Sequence, residues 1–368
     1  MNKDLKNLMF TIVFALLILG ISVSCWLKPE TAFSESERRA LASLPHLSLS
    51  TVFSGEFTEG FEEYTTDQFP LRDRFRTLKA LFSTKLLGKM DNNKLYVQDG
   101  HISKIEYPEN PEMITYAIDR FDNIFNKYLK NTSVKTYLSI VPDKNYFLAP
   151  QKGYLSINYP EFIENFKSNL PYMEYIDLIP LLSVDDYYRT DSHWKQENIQ
   201  DVAEWLGNQM GTDVSAQYKV NTLGIPFNGV YSGQSALPFA PDTIKYLTSE
   251  TLDACTVTYF DTGLPKQGEF YNMEKAQGKD PYEMYLSGTS PLITIENPTA
   301  KSSKELILFR DSFGSSIAPL LAEGYKKITV VDIRYIQSDF LGNFIEFDNQ
   351  DVLFLYSTTL LNNSMAMR

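Results

Sequence analysis

The chain has 368 residues, of which 43% are hydrophobic and 14% aromatic, so it is long enough to build a sizeable core. Its 46 aspartates and glutamates outnumber its 34 lysines and arginines, which gives a formal net charge of -12. A face that binds a phosphate backbone needs basic residues, so this balance argues against nucleic acid as a partner.

The N-terminal segment is apolar. An uncharged run from Leu8 to Leu27 follows Lys3 and Lys6, and its length matches a helix that crosses a bilayer. We predict that residues 1–27 form a single-pass anchor in the cell membrane and that the main domain is extracytoplasmic. The alternative is a cleaved signal peptide with small residues at its cleavage site.

Cysteine and histidine usage narrows the chemistry. Cys25 lies in the apolar segment and Cys255 lies far along the chain, so no disulfide is expected. The sequence has no CxxC motif, no HExxH motif and no cluster among its three histidines. We therefore expect neither a metal nor any other cofactor.

Residues 28–90 are predicted to form a helical stalk or N-terminal extension. The first part, to about residue 50, reads as a loose stalk with short helical pieces. The arginines at positions 72, 74 and 76 are expected to form a solvated face. The apolar residues that recur at helical spacing are Phe57, Phe61, Tyr64, Phe75, Leu78, Leu81 and Phe82.

Residues 91–368 are predicted to form one α/β domain. A hairpin signal at Asp99-Gly100 precedes a helical pattern over residues 109–129 and a buried strand over 134–141. The last 65 residues alternate strand-like runs at 305–309, 327–333 and 351–356 with helical segments near 316–323 and 338–346. This alternation implies a parallel sheet flanked by helices. Residues of about 218–300 are expected to form an irregular β insertion.

Three residues supply the parts of a nucleophilic site. Asp191 and His193 lie two residues apart, so one loop can present both, and the carboxylate can orient the imidazole. Ser312 follows a strand-like run and precedes a helix. The sequence predicts that the three form a catalytic triad. The alternative for each motif is structural, because Asp191, Asp311 or Ser312 can simply cap a helix.

The turn at Ser312 also predicts an oxyanion site. Pro319 is tolerated in the first turn of a helix, so the helix is expected to begin near Ser315 or Ser316. Free amides ahead of a helix can hold a developing negative charge. The amides of Ser312 and Gly314 are the candidates.

Four further groups are candidates for contacts with substrate. Lys144 and Asn145 follow the strand 134–141, where open α/β sheets place ligand-binding groups. Trp194 can pack against a sugar or anchor its loop in the core. A second possible lining loop contains Asn228, Gly229 and Tyr231.

The motifs resemble those of the DHHW family of bacterial cell-surface proteins. That family is similar to the periplasmic alginate O-acetyltransferases, which look like circularly permuted SGNH hydrolases. The matching pieces are Thr190-Asp191-Ser192-His193-Trp194, Phe33 to Leu41, Asp67 to Arg72, Val141 to Lys144, Arg310 to Gly314, Val331 to Tyr335 and Asp351-Val352.

The resemblance implies a circularly permuted SGNH-like α/β fold with Ser312 as nucleophile, His193 as base and Asp191 as its orienting acid. Two positions depart from the patterns. Arg310 stands where SGNH hydrolases usually have glycine, and Ser192 replaces the first histidine of the family's name. Arg310 is expected either to restrict the turn or to contact substrate.

The leading hypothesis for function is an anchored, serine-dependent O-acetyltransferase or esterase. Its acceptor would be an extracellular polysaccharide or other glycan, and a membrane-bound acyl-transfer partner would deliver the acetyl group. A hydrolase that removes acetyl groups needs the same residues. The alternative from a different class is a non-catalytic glycan-binding or envelope-assembly protein that keeps the fold.

Overall fold

The computed structural model describes residues 3–368. The chain forms two compact units. Unit 1 extends to Asn93 and includes Ser232–Pro238, and unit 2 comprises Lys94–Tyr231 and Phe239–Arg368.

Unit 1 begins with α1 (Lys3–Leu27), a helix that is long and apolar enough to cross a membrane. It coincides with the predicted N-terminal segment apart from residues 1 and 2, which lie outside the described residues. Its length and apolar composition fit an anchor and a signal sequence alike.

Three further helices and a small hairpin make up the rest of unit 1. Periodic apolar residues predict the helices correctly, but the prediction of helical pieces near residues 33–41 is wrong, because two short strands pair there. The elements are β1 (Phe33–Ser34), β2 (Arg39–Ala40), α2 (Leu49–Ser54), α3 (Glu56–Asp67) and α4 (Arg72–Leu81), which continues as a π-helical turn over Phe82–Leu86.

Ion pairs connect the two segments of unit 1 that resemble the DHHW family, residues 33–41 and residues 67–72. Asp67 lies 2.6 Å from Arg39 and 3.1 Å from Arg72, and Arg72 also lies 2.6 Å from Glu37. The hydrogen bond from Arg39 lowers the pKa of Asp67 to about 2. Arg76 pairs with Glu37 at 3.1 Å, so two of the three arginines predicted to be solvated are instead held against acids.

Unit 2 contains the main sheet and two separate hairpins, one that precedes the strands of the sheet in sequence and one that falls between two of them. Its strands are β3 (Leu95–Gln98), β4 (His101–Lys104), β5 (Lys135–Val141), β6 (Glu174–Tyr175), β7 (Lys219–Phe227), β8 (Asp242–Thr248), β9 (Thr256–Tyr259), β10 (Lys266–Gly268), β11 (Leu292–Glu296), β12 (Glu305–Arg310), β13 (Lys327–Val331) and β14 (Asp351–Ser357). Its helices are α5 (Pro111–Ile124, with a π-helical turn over Phe125–Leu129), α6 (Lys144–Lys152), α7 (Tyr159–Asn169), α8 (Gln200–Gln209), α9 (Val230–Ser235, which continues into unit 1), α10 (Glu250–Ala254), α11 (Met273–Ala276), α12 (Ser312–Leu321) and α13 (Thr358–Leu361).

The main sheet has eight strands in the order β10-β9-β11-β13-β12-β14-β5-β6. The five strands from β13 to β6 are parallel, as predicted, whereas β10, β9, β11 and β13 pair antiparallel. The sheet is therefore mixed. Part of the segment expected to be an irregular insertion completes it, since β9, β10 and β11 all lie within residues 218–300.

Helices cover both faces of this sheet, which confirms the predicted α/β class. Alternate residues of β12 enter opposite cores: Leu306 and Leu308 belong to one buried cluster, and Ile307 and Phe309 belong to the other. The first cluster includes apolar residues of α8 and α12, and the second includes those of α5 and α7. Buried strands of this kind hold the loops at their carboxyl ends in place.

Two helix predictions near the C-terminus are wrong in detail. The segment near 338–346 is a 3₁₀ helix over Ser338–Asn343. The helix with Pro319 begins at Ser312 instead of at Ser315 or Ser316, so the proline lies inside it. Every residue from Phe313 to Leu321 is buried, and this packing offsets the hydrogen bond that the proline removes.

Candidate active site

Ser312, His193 and Asp191 are joined in a chain of hydrogen bonds. His193 Nδ1 lies 2.6 Å from Asp191 Oδ1, and His193 Nε2 lies 2.7 Å from Ser312 Oγ. When Nδ1–H donates to the carboxylate, Nε2 is left to accept from the hydroxyl. The structure thus brings together residues 119 positions apart in the order that a nucleophilic serine requires.

Burial differs along this chain of residues. Asp191 is fully buried, while His193 and Ser312 are half-buried. The carboxylate is therefore shielded, and the residue whose hydroxyl would react is partly exposed. An acid that orients a base and a nucleophile that meets substrate need these two environments.

Ser312 is the first residue of α12, immediately after Asp311. Asp311 caps the helix by accepting from the Phe313 amide at 3.0 Å, and its other oxygen accepts from the Ser357 amide at 2.8 Å. One carboxylate therefore fixes the ends of β12 and β14 together. The capping alternative is correct for Asp311, and it places Ser312 at the positive end of the helix dipole.

The helix start offers one of the two predicted oxyanion donors. The Gly314 amide donates to the Asp311 carbonyl at 3.1 Å, which corrects the prediction that it faces substrate. Within residues 3–368 the Ser312 amide has no hydrogen-bond acceptor. Gly314 is needed for packing, since an added Cβ would lie 2.4 Å from Cβ of Arg310.

The loop after β7 supports the carboxylate of Asp191. The Val230 amide donates to Asp191 Oδ2 at 2.8 Å, and the Gly229 amide donates to Thr190 Oγ1 at 2.9 Å. A Cβ on Gly229 would lie 2.3 Å from the Thr190 carbonyl, so only glycine fits. This loop was predicted to line the substrate site, but its amides instead hold the acid, through Val230, and the preceding threonine, through Gly229. Asn228, just before it, is exposed.

A second carboxylate, on Asp242, holds the segment before the acid. Asp242 Oδ2 accepts from the amide and the hydroxyl of Thr190 at 2.8 and 2.6 Å, and Asp242 Oδ1 accepts from the Arg189 amide at 3.2 Å. These bonds leave Asp191 little freedom to move away from His193.

Lys144 supports the same segment through its backbone carbonyls. Its ammonium is buried and donates to the Tyr188 and Arg189 carbonyls at 2.8 and 3.3 Å, 5.2 Å from the ring centre of Tyr231. Burial lowers the pKa of Lys144 to about 7, against the attraction of Asp191 and Asp242. Predicted contacts of Lys144 and Tyr231 with substrate are corrected, because both side chains are buried under the loop.

Asn145 is also part of the scaffold. Its side chain accepts from Tyr96 Oη at 2.8 Å and donates to the Leu155 carbonyl at 3.1 Å, and it is fully buried. The prediction that it orients substrate is therefore corrected, since its amide group is already satisfied within the fold.

Aromatic side chains fix the imidazole. The Tyr282 ring stacks on His193 with centroids 3.9 Å apart and planes 11° apart, and Tyr282 Oη donates to Ser316 Oγ at 2.9 Å. Trp194 donates to the same Ser316 Oγ at 2.8 Å. Because Trp194 is fully buried it has no face for a sugar, so the core alternative is correct.

Arg310 lies beneath the site. Its guanidinium is buried and contacts Asp332 at 3.3 Å and the Gly288 carbonyl at 3.3 Å. Asp332 also binds Arg334, at 2.7 Å. Burial lowers the pKa of Arg310. The possibility that Arg310 contacts substrate is corrected, and its side chain instead restricts the turn by packing against Gly314.

Sequence reasoning missed two important side chains, Tyr282 and Asp242. Both lie in the segment expected to be an irregular insertion, and neither belongs to a recognised sequence motif that points to a site. Pro241 before Asp242 indicates only a turn. As for metal ligands, within residues 3–368 no three histidine, cysteine, aspartate or glutamate side chains gather as a metal ion would require.

Comparison with solved structures identifies proteins that have a similar fold. A DHHW family protein from Eubacterium siraeum matches with a TM-score of 0.60 and 22% identity, over 75% of this chain and 95% of that one. Bacillus cereus PatB1, solved with a sulfonyl adduct, matches with a TM-score of 0.58 and 21% identity, over 73% and 95%. The predicted resemblance to the DHHW family is confirmed in the fold.

More distant matches include the O-acetyltransferase domain of Pseudomonas putida AlgJ, with a TM-score of 0.43, 12% identity and coverage of 73% and 92%. No protein-family model matches the sequence, and no curated protein matches it. The predicted circular permutation stays a prediction.

Proposed function

We propose that this protein is a serine-dependent O-acyltransferase or esterase that acts on acetyl groups of an extracellular polysaccharide. The observation that carries the proposal is the position of His193, 2.6 Å from Asp191 and 2.7 Å from Ser312. The shared fold with PatB1, which was solved with a sulfonyl adduct, is consistent with an activated nucleophile. A polysaccharide acceptor and a membrane-bound acyl-transfer partner remain predictions from the sequence.

The first half-reaction forms an acyl-enzyme. His193 Nε2 takes the proton of Ser312 Oγ as the oxygen attacks the carbonyl carbon of the acyl donor. The Ser312 amide, at the positive end of α12, stabilises the oxyanion. The tetrahedral intermediate collapses, the bond to the donor's leaving group breaks, and that group leaves with the proton from His193. An ester on Ser312 remains.

The second half-reaction transfers the acyl group. His193 takes a proton from the acceptor hydroxyl, whose oxygen attacks the ester carbonyl, and the bond to Ser312 Oγ then breaks as Oγ regains a proton from His193. A sugar hydroxyl as acceptor gives a transferase, and water gives an esterase. Asp191 stabilises the imidazolium at each stage.

The test uses the full chain in detergent micelles. We expect a sulfonyl fluoride to add one sulfonyl group to Ser312, as peptide mass spectrometry would show, and to stop release of p-nitrophenol from p-nitrophenyl acetate. Ser312→Ala and His193→Ala should each lower turnover by about 10⁴-fold. Ser168→Ala and His46→Ala, both at exposed positions, should match the native protein.

Short oligosaccharide acceptors then separate transfer from hydrolysis. Acetylated oligosaccharide that depends on Ser312 would establish a transferase, and acetate alone would establish an esterase. Native protein that neither turns over the ester nor takes the sulfonyl group would contradict the proposal and favour a glycan-binding role.

A further inference from the structure

The helix at the end of unit 1 exposes its apolar side. Phe75, Leu78, Phe82 and Leu86 recur at spacings of three, four and four, so they lie on one side of α4 and its π-helical extension. These side chains are 49%, 62%, 50% and 70% exposed. An amphipathic helix in a water-soluble unit normally buries this side.

Another side of the helix is held in place, so the apolar side has no freedom to turn inward. Ala80 and Ser83 are buried there. Arg72 and Arg76 on the same helix pair with Glu37 at 2.6 and 3.1 Å, and their side chains are only 13% and 15% exposed. Ion pairs at low exposure fix the rotation of the helix about its axis.

Exposed apolar residues are concentrated in this part of the chain. Within residues 49–90 eleven large apolar side chains are exposed, and only eleven more are exposed in the whole of unit 2, which is several times longer. A concentration of this kind marks an interaction surface. The additional exposed residues are Leu49, Val52, Phe53, Phe61, Leu71, Leu87 and Met90.

The charge along this helix is positive although the chain carries -12 overall, and Asp73 is the one acidic residue within 71–90. Residues 74–90 contain five basic residues and no acidic one. Of these, Arg74, Lys79, Lys85 and Lys89 are exposed. A helix with an apolar face bordered by lysine and arginine is typical of one that lies at a lipid surface, where anionic head groups attract the basic residues.

We infer that the apolar face of residues 71–90 lies in the head-group region of a lipid bilayer that contains anionic lipid. The apolar helix α1 ends at Leu27 in the same unit, and it is long enough to enter that bilayer. The inference does not depend on the proposed chemistry at Ser312. It makes unit 1 a part of the chain that lies on the membrane.

Photo-crosslinking of the full chain in lipid nanodiscs tests the inference. The discs contain phosphatidylcholine with a diazirine on its acyl chain, with or without phosphatidylglycerol, and peptide mass spectrometry locates the lipid adducts. We expect adducts within residues 71–90 as well as within α1, and more of them when phosphatidylglycerol is present.

Matched variants show whether the lipid adducts depend on the apolar face of residues 71–90. The pair Leu78→Ser and Phe82→Ser should lower adducts in residues 71–90 at least about fivefold. The pair Leu264→Ser and Met273→Ser, exposed in unit 2, should leave them unchanged. Arg74→Gln with Lys85→Gln should remove most of the gain from phosphatidylglycerol.

Two results would overturn the inference, and neither depends on the serine variants. One, with the native protein, is lipid adducts within α1 and none within residues 71–90. The other comes from a photoreactive amino acid placed at Leu78, and it is crosslinking of that position to a second copy of the chain in place of lipid. Ester turnover is not a readout here, so failure of this inference and failure of the proposed function can be distinguished.

Discussion

The ring of Tyr282 lies flat on the imidazole of His193, with centroids 3.9 Å apart and planes 11° apart. The phenol hydroxyl of Tyr282 donates to Ser316 Oγ, which also accepts from Trp194. The imidazole is therefore held by Asp191 at its edge and by an aromatic ring on its face. Tyr282 is a positioning residue, because it acts through His193.

Removal of this stack should slow the chemical step. Tyr282→Ala loses an aromatic contact of about 0.5–1.5 kcal/mol, which corresponds to a decrease in kcat of roughly 2- to 12-fold, with KM little changed. Steady-state kinetics with p-nitrophenyl acetate measure both constants.

Tyr282→Phe is the matched control, since it keeps the ring and loses only the bond to Ser316. It should stay closer to the native kcat than Tyr282→Ala. Equal kcat values for the native protein and Tyr282→Ala would show that Asp191 alone orients the imidazole.

Gly229 tests how tightly the acid is held. An added Cβ would lie 2.3 Å from the Thr190 carbonyl group and 2.5 Å from Asp191 Cβ, so Gly229→Ala must displace the loop that carries Asp191. We expect a loss of about 1–3 kcal/mol in stability and of about 10²-fold in ester turnover. Thermal melting and kinetics measure the two effects.

Gly224, in the strand that leads to Gly229, is the matched control. A Cβ there would meet nothing within 4 Å, so Gly224→Ala should keep full activity and melt at or slightly above the native temperature. If both alanine variants behave alike, the close packing of Gly229 against Thr190 does not position the acid.

The sequence predicted the α/β class and the three residues of the candidate triad for a common reason. Buried strands and turns leave local patterns, and parallel strands bring their carboxyl ends to one edge of a sheet. Ser312 follows β12, and Lys144 comes soon after β5, so the carboxyl ends of both strands could be located from the sequence. The catalytic roles themselves stay predictions.

The substrate contacts predicted for the surrounding residues were wrong, because each of these side chains binds a partner that is distant in sequence. Lys144 was expected to be available to substrate, but its ammonium donates a hydrogen bond to the carbonyl of Tyr188. Arg310 pairs with Asp332, and Trp194 donates to Ser316. A strand-loop pattern gives the type and order of such residues, and it contains no information on which acceptor each will meet.

The buried ammonium of Lys144 should make stability depend on pH. Its pKa is lowered from 10.5 to about 7, so between these values the unfolded chain binds more protons than the folded one. The contribution of Lys144 to stability therefore rises with pH across this range, by at most about 1.4 kcal/mol per pH unit. Lys144→Met should lack this increase.

Calorimetry at pH 7, 8 and 9 measures the difference in melting temperature between native protein and Lys144→Met, so groups common to both cancel. The melting temperature of the native protein should rise relative to that of Lys144→Met as the pH rises. Lys152→Met, at the exposed end of the same helix, should keep the native pH dependence. A constant difference between native protein and Lys144→Met would mean that the ammonium reaches solvent.

The buried charges beneath Ser312 should be essential to the fold. Asp332 is fully buried between Arg310 and Arg334, so Asp332→Asn leaves the Arg310 guanidinium without its counter-ion or solvent. Breaking a buried pair costs about 3–5 kcal/mol, which would lower Tm by roughly 10 °C. Replacing Arg310 by methionine in the Asp332→Asn protein should restore part of the loss, because the buried positive charge is removed as well.

Asp339 supplies the contrasting case on the surface. It lies 2.7 Å from Lys127, but the two side chains are 74% and 46% exposed, so Asp339→Asn should leave Tm close to the native value. Calorimetry on the three variants compares them directly. If Asp332→Asn melts as close to the native protein as Asp339→Asn does, water reaches Arg310. The turn before Ser312 would then not depend on a buried ion pair.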